Sequence, residues 1–93
     1  MDLQFEWNKS KAKDNFAKHG VRFDLATKVF KDPFALEFQD DRQDYEEERY
    51  IIIGLVDEHV LFVAYTRRED AIRIISARRA TKHEEEAYFQ ENT

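Results

Sequence analysis

The chain contains no cysteine, one proline and two glycines in 93 residues. Without cysteine there is no disulfide framework and no thiolate metal site, and a reducing cytoplasm is the expected home. With so little Pro and Gly, flexible linkers and low-complexity tracts are excluded. No apolar run approaches the ~18 residues that a membrane span needs. The start, MDLQFEWNKSKAK, lacks the apolar core of a secretory signal. No repeat is found, and GxGxxG, P-loop, GxSxG and HExxH motifs are all missing, so neither a cofactor nor a metal is expected.

What is present suits one small domain over 1–93 with an aromatic core: hydrophobic residues make up 42% and eight residues are Phe. The formal net charge is −5, but it is unevenly spread. Residues 37–48 hold seven acids against Arg42, and the last ten residues hold four Glu and no base. Residues 65–83 instead carry Arg67, Arg68, Arg73, Arg78, Arg79 and Lys82 against Glu69 and Asp70. A local basic patch attracts phosphate even on an acidic protein.

Hydrophobic periodicity predicts the order β-α-α-β-β-β-β-α, an α+β domain. Leu3 to Trp7 reads as a strand. Asn8 caps a helix whose inner face holds Ala12 and Phe16, and Gly20 supplies its left-handed stop. Phe23 to Phe30 reads as a second helix, ended by Asp32-Pro33. Phe34 to Phe38 alternates as a strand, and an acidic loop over 40–48 follows. Tyr50–Val56, Val60–Thr66 and Ala71–Ala77 then form an antiparallel meander, with turns at 57–59 and 67–70. Thr81 and Glu84 make a capping box for a last helix that turns Tyr88 and Phe89 inward.

The segment IRIISARRAT, residues 72–81, carries the most suggestive chemistry. Strict alternation puts Ile72, Ile74 and Ser76 on one face and Arg73, Ile75 and Ala77 on the other. Arg78 and Arg79 then fall where the strand meets the last helix, whose N-terminus favours anions. Guanidinium groups there suit a phosphate. The ordinary alternative is surface pairing of these arginines with the acidic loop and the C-terminal glutamates. His19 is the type of side chain that moves protons near neutrality, although Lys18 and His19 also simply suit a helix C-terminus. His59 and His83 read as solvated. The 40–48 acids lack the spacing of a calcium loop.

Several segments together resemble the BrnT family of type II toxins. They are Phe5-Glu6-Trp7; Asn15 with Lys18-His19-Gly20-Val21 and Phe23; Val29-Phe30 with Asp32-Pro33; Glu47-Glu48-Arg49-Tyr50 with Ile53-Gly54; Tyr65-Thr66; and Arg73 through Thr81. The resemblance implies a RelE-like fold, a compact antiparallel sheet packed with helices. It implies a metal-independent endoribonuclease that arrests growth, neutralised by a BrnA-type antitoxin in a heterotetramer of two toxins and two antitoxins. Operator DNA would be bound only through the antitoxin. Carried onto this sequence, Arg68, Arg73 and Arg78 would serve phosphate and charge, with His19 in proton transfer. Lys18, Tyr65 and Arg79 would contact RNA, Tyr65 by stacking on a base or donating a proton. One departure stands out. Where the family usually reads Tyr-Thr-Glu-Arg-Gly, this chain has Tyr65-Thr66-Arg67-Arg68-Glu69. The alternative that follows is a catalytically impaired relative that only binds its partner and acts as co-repressor. A direct DNA-binding repressor lacks support, since no basic recognition helix is present.

Overall fold

In the computed structural model, residues 3–42 and 46–92 are described. The chain runs β1 (Gln4–Glu6), α1 (Lys9–His19), α2 (Phe23–Ala26, continued by a 3-10 turn over Thr27–Lys31), β2 (Leu36–Asp40), β3 (Arg49–Val56), β4 (His59–Arg68), β5 (Ala71–Arg79) and α3 (Lys82–Glu91). The α+β class and the element order agree with the sequence pattern. The sheet is mixed: its order is β1-β5-β4-β3-β2, with β1 parallel to β5 and every other pair antiparallel. Residues 43–45 of the expected acidic loop lie outside the described residues.

Local chemistry explains the boundaries. Asn8 accepts from the Lys11 N–H at 3.0 Å, and Gly20 closes α1 at φ 71°. Thr81 and Glu84 complete the capping box of α3. Asp32 organises the break before β2: its carboxylate accepts from the backbone N–H groups of Phe34 (2.9 Å) and Leu55 (2.8 Å) and from the Tyr88 hydroxyl (2.5 Å). Burial acts to raise the Asp32 pKa, but these donors outweigh it and hold it below the usual carboxylate range. Burial, and then the bond to Asp32, push Tyr88 up to about 12. Gly54 is required by close approach, because a Cβ there would stand 2.6 Å from Val29 Cγ2.

Each sheet face has its own core. The first face packs under α1 and α2, with Val21, Phe23, Val29, Ile52, Val63, Tyr65, Ile74 and Ala77. The second holds Ile51, Ile53, Val60, Phe62 and Ala64, with Tyr88 of α3 over them. Two inward assignments change. Phe16 is 51% exposed and α1 instead buries Asn15, whose amide donates to the carbonyls of Ala77 (2.8 Å) and Val21 (3.1 Å) and accepts from the Ala77 N–H (3.1 Å). Asn15 thereby takes the place of a strand neighbour for β5. Phe89 is 47% exposed, so Tyr88 alone turns inward.

Strands β4 and β5 run longer than the pattern suggests, so Arg67, Arg68, Arg78 and Arg79 lie within strands rather than in turns. Strict alternation in β5 also fails. The register slips between Ala64 and Tyr65, which pair with Ser76 and Ile74, and Ile75 is left over as a bulge. Beyond it, Ala77 joins Ile72 and Ile74 on the first face, and Ser76 moves to the second with Ala64. Arg73 and Arg78 are five residues apart and would otherwise face opposite ways. The bulge puts both on the second face.

Candidate functional site

One cross-strand row spans the whole second face. Asp40 pairs with Arg49, Arg49 with Thr66, Thr66 with Arg73, and Arg73 with Glu6. Thr66 is buried and donates its hydroxyl to the Glu48 carbonyl at 2.8 Å. Neighbouring strands lie ~4.8 Å apart, so Arg49 and Arg73 flank Thr66 at roughly 10 Å from each other. Both are half-buried. Arg73 Nη1 stands 3.7 Å from Glu6 Oε1, a loose ion pair. Arg68 lies on the same face, diagonal to Arg73 at about 7–8 Å between backbones. Its guanidinium meets Glu47 at 3.1 Å with both side chains about half exposed. Arg49, Arg68 and Arg73 thus share one end of this face, with Arg68 beside Glu47 and Arg73 beside Glu6. A guanidinium keeps its charge at any working pH and its fork suits the oxygens of a phosphodiester, which would have to compete here with Glu6 and Glu47.

Arg78 belongs to the other end. Its partner Phe62 is four residues along β4 from Thr66, which puts Arg78 about 13 Å from Arg73. The guanidinium stacks on the Phe62 ring at 4.0 Å and grips Glu84 with two bonds, at 2.8 and 2.9 Å. The hydrogen bond from Arg78, opposed by burial and helped by Thr81, holds Glu84 below the usual carboxylate range. Arg78 is therefore a clasp between β5 and α3, and its forked face is already filled by a carboxylate. Arg79 donates to Nδ1 of His59 at 2.8 Å, which ties the end of β5 to the start of β4. His59 is thus engaged rather than merely solvated.

Tyr65 is in the core. It is fully buried, with Phe30 at 5.0 Å edge-on and Tyr50 stacked at 5.5 Å, and its hydroxyl donates to Glu37. Burial, and then the Glu37 bond, raise its pKa well above the ordinary phenol value. Its ring therefore has no free face for a base, and the RNA-stacking role expected for it is withdrawn. Arg67 is on this first face too, its guanidinium 4.8 Å from the Tyr50 ring centre. The departure from the family pattern thus falls on the face away from Arg68 and Arg73. Lys18 and His19 close α1, which is bound through Asn15 to β5 and packs with the first-face core. Among the described residues, no hydrogen bond or ion pair joins them to the arginines.

Neither Arg49 nor Glu6 stands out in the sequence as a site residue. Only the register brings them beside Arg73, although the FEW and EERY segments contain them.

A comparison with curated proteins finds none that matches. Residues 7–84, most of the chain, match the family model described as ribonuclease toxin, BrnT, of type II toxin–antitoxin system. The chain with this arginine-lined sheet face belongs to the BrnT family of ribonuclease toxins.

Proposed function

We propose that this chain is a metal-independent endoribonuclease that arrests growth until a BrnA-type antitoxin binds it. The observation that carries the reading is the Arg49–Thr66–Arg73 row with Arg68 beside it. In the reaction the ribose 2′-oxygen attacks the adjacent phosphorus. The P–O2′ bond forms, the P–O5′ bond breaks, the 2′-proton goes to a base, and the leaving 5′-oxygen takes a proton. The nucleophile comes from the RNA itself, so no metal-bound water is needed. Arg73 and Arg68, with Arg49, grip the non-bridging oxygens as negative charge grows. The 3.7 Å approach of Glu6 to Arg73 supports Glu6 as the base for the 2′-proton. His19 or Lys18 remains a choice for either proton transfer on residue type, although α1 packs with the first-face core, and an unchanged rate in His19→Ala removes His19. The assembly follows the family pattern: two toxins and two antitoxins, with operator DNA contacted by the antitoxin.

The test is RNA cleavage by purified protein in EDTA, beside Arg73→Ala and a sample with added antitoxin. The reading requires cleavage that persists in chelator, fades in the variant and stops with the partner. A second reading has one observation in its favour, the Arg67 substitution: the chain keeps fold and partner but lacks turnover. Multiple turnovers at catalytic enzyme concentration would exclude it.

A further inference from the structure

Six large apolar side chains among the described residues are exposed, and four of them gather on one side: Phe34 (61%), Phe38 (48%), Phe89 (47%) and Leu55 (39%). Phe38 pairs with Ile51 on the second face, and Leu55 follows Ile53 there. Phe34 leads into β2, and its carbonyl accepts from Asn92 just beyond α3. Phe89 stands beside Tyr88, with ring centres 5.1 Å apart. Partly buried Leu36 lies between Phe34 and Phe38 and packs against Tyr88's cluster.

The backbone here is also open. Among the described residues, strand β2 ends the sheet and pairs only with β3. The opposite edge is treated differently: β1 covers the start of β5, and Asn15 satisfies Ala77 beyond it. An uncovered edge with apolar residues at alternate positions is a template for an added strand.

Charge selects the occupant. Asp57 and Glu58 lie in the turn beyond Leu55 and Val56, and Glu85, Glu86 and Glu91 lie on α3 around Phe89, whereas Glu37 and Asp40 of β2 are already engaged by Tyr65 and Arg42. Against them stand Lys82 at the start of α3 and Arg42, whose guanidinium is on Asp40 at 2.7 Å. A second copy of this chain would bring like charges together.

We infer that β2 and the outer face of α3 dock an extended segment of the antitoxin, apolar at alternate residues and flanked by Lys or Arg. This rests on the toxin–antitoxin reading above. The segment would add a sixth strand beside β2 and set its apolar residues against Phe34, Phe38 and Phe89.

The experiment titrates a cognate BrnA-type antitoxin into wild type, Phe38→Asp, Phe89→Asp and the pair Glu85→Lys/Glu91→Lys. Calorimetry reads affinity, and RNA cleavage by each free variant is measured alongside. Both phenylalanines are about half exposed, so the variants should fold, and thermal melts check this. Each Phe variant is expected to lose at least about 30-fold in affinity, as an apolar anchor does, with cleavage unchanged. The charge variant should bind several-fold more weakly at low salt and approach wild type at high salt. Equal binding by wild type and folded Phe38→Asp and Phe89→Asp overturns the docking site and leaves the ribonuclease reading standing. A wild-type chain that binds through these residues but leaves RNA intact does the reverse. Light scattering that shows a wild-type dimer dissolved by Phe38→Asp would assign the face to a second copy and also overturn the proposal.

Discussion

Arg73 and Arg78 sit on the same strand and the same face, yet their surroundings differ. Arg78 has a ring beneath it, a carboxylate gripped at 2.8 and 2.9 Å and a helix N-terminus built around that carboxylate. Arg73 has a single carboxylate at 3.7 Å, with Glu6 42% exposed. The two guanidinium groups are similarly shielded, but one is fixed by two short charged bonds and a ring and the other by one loose ion pair. Residue type does not separate the two. Their neighbours across the sheet do.

The largest expected effect tests the loosely paired end. Arg73→Ala should lower RNA cleavage by about 10²–10³-fold, the scale for losing one charge-stabilising donor. Its stability should change by under about 1 kcal/mol, because the Glu6 pair is loose and partly solvated. Arg73→Lys keeps the charge but not the fork and should fall between Ala and wild type. Single-turnover rates and thermal melts on the same preparations separate the two quantities. An Arg73→Ala protein that melts early and cleaves normally would reverse the assignment.

Arg78→Ala should do the opposite. Loss of the ring contact and the two charged bonds leaves Glu84 facing Phe62, at a cost of about 2 kcal/mol. For a domain of this size that lowers Tm by roughly 10 °C. Cleavage below the melting range should fall far less than in Arg73→Ala. A stable, inactive Arg78→Ala would return Arg78 to the phosphate site.

A smaller effect is the pH dependence of the clasp. Glu84 has a depressed pKa in the folded chain. Its contribution is therefore complete above the unfolded value of ~4.3 and is lost as pH falls through the folded value. Asp32, also depressed, acts in the same direction. Wild type should lose stability from about pH 5 downward, and Arg78→Ala should show a shallower acid slope, since the Arg78 share of Glu84's depression is gone while those of Thr81 and Asp32 remain. Melts between pH 7 and pH 3 read this directly. Equal slopes would mean that the Glu84 pair adds nothing to folding.

Much of this layout is legible in the sequence because its signals are local. Asn8, Gly20, Asp32-Pro33 and the Thr81–Glu84 box each act within a few residues of themselves, and the helix boundaries follow. Alternation finds the meander for the same reason. The candidate site is less legible, because it is made by register. A single extra residue at Ile75 decides which arginines share a face, and nothing within β5 marks it. Tyr65 reads as an accessible aromatic at a strand end, but β4 continues past it and the Phe30 and Tyr50 rings close over it. Phe16 fits an inner helical face, yet the edge of β5 needs hydrogen bonds that only Asn15 supplies.

The smallest expected effect lies in the turn at the Arg73 end. Glu69 has φ 54° in the two-residue connection between Arg68 and Ala71. That left-handed conformation costs a residue with a Cβ about 1 kcal/mol, and the family pattern carries Gly at this place. Glu69→Gly removes the strain but gives the unfolded chain more freedom, so the net gain should be a few tenths to about 1 kcal/mol. Asp57, with φ 56° in the other hairpin, supplies a control far from the arginine row. Asp57→Gly should give a similar gain. If cleavage tracks how firmly Arg68 and Arg73 are positioned, Glu69→Gly alters the rate and Asp57→Gly does not. Unaltered rates in both would mean that strain in this turn is a matter of stability alone.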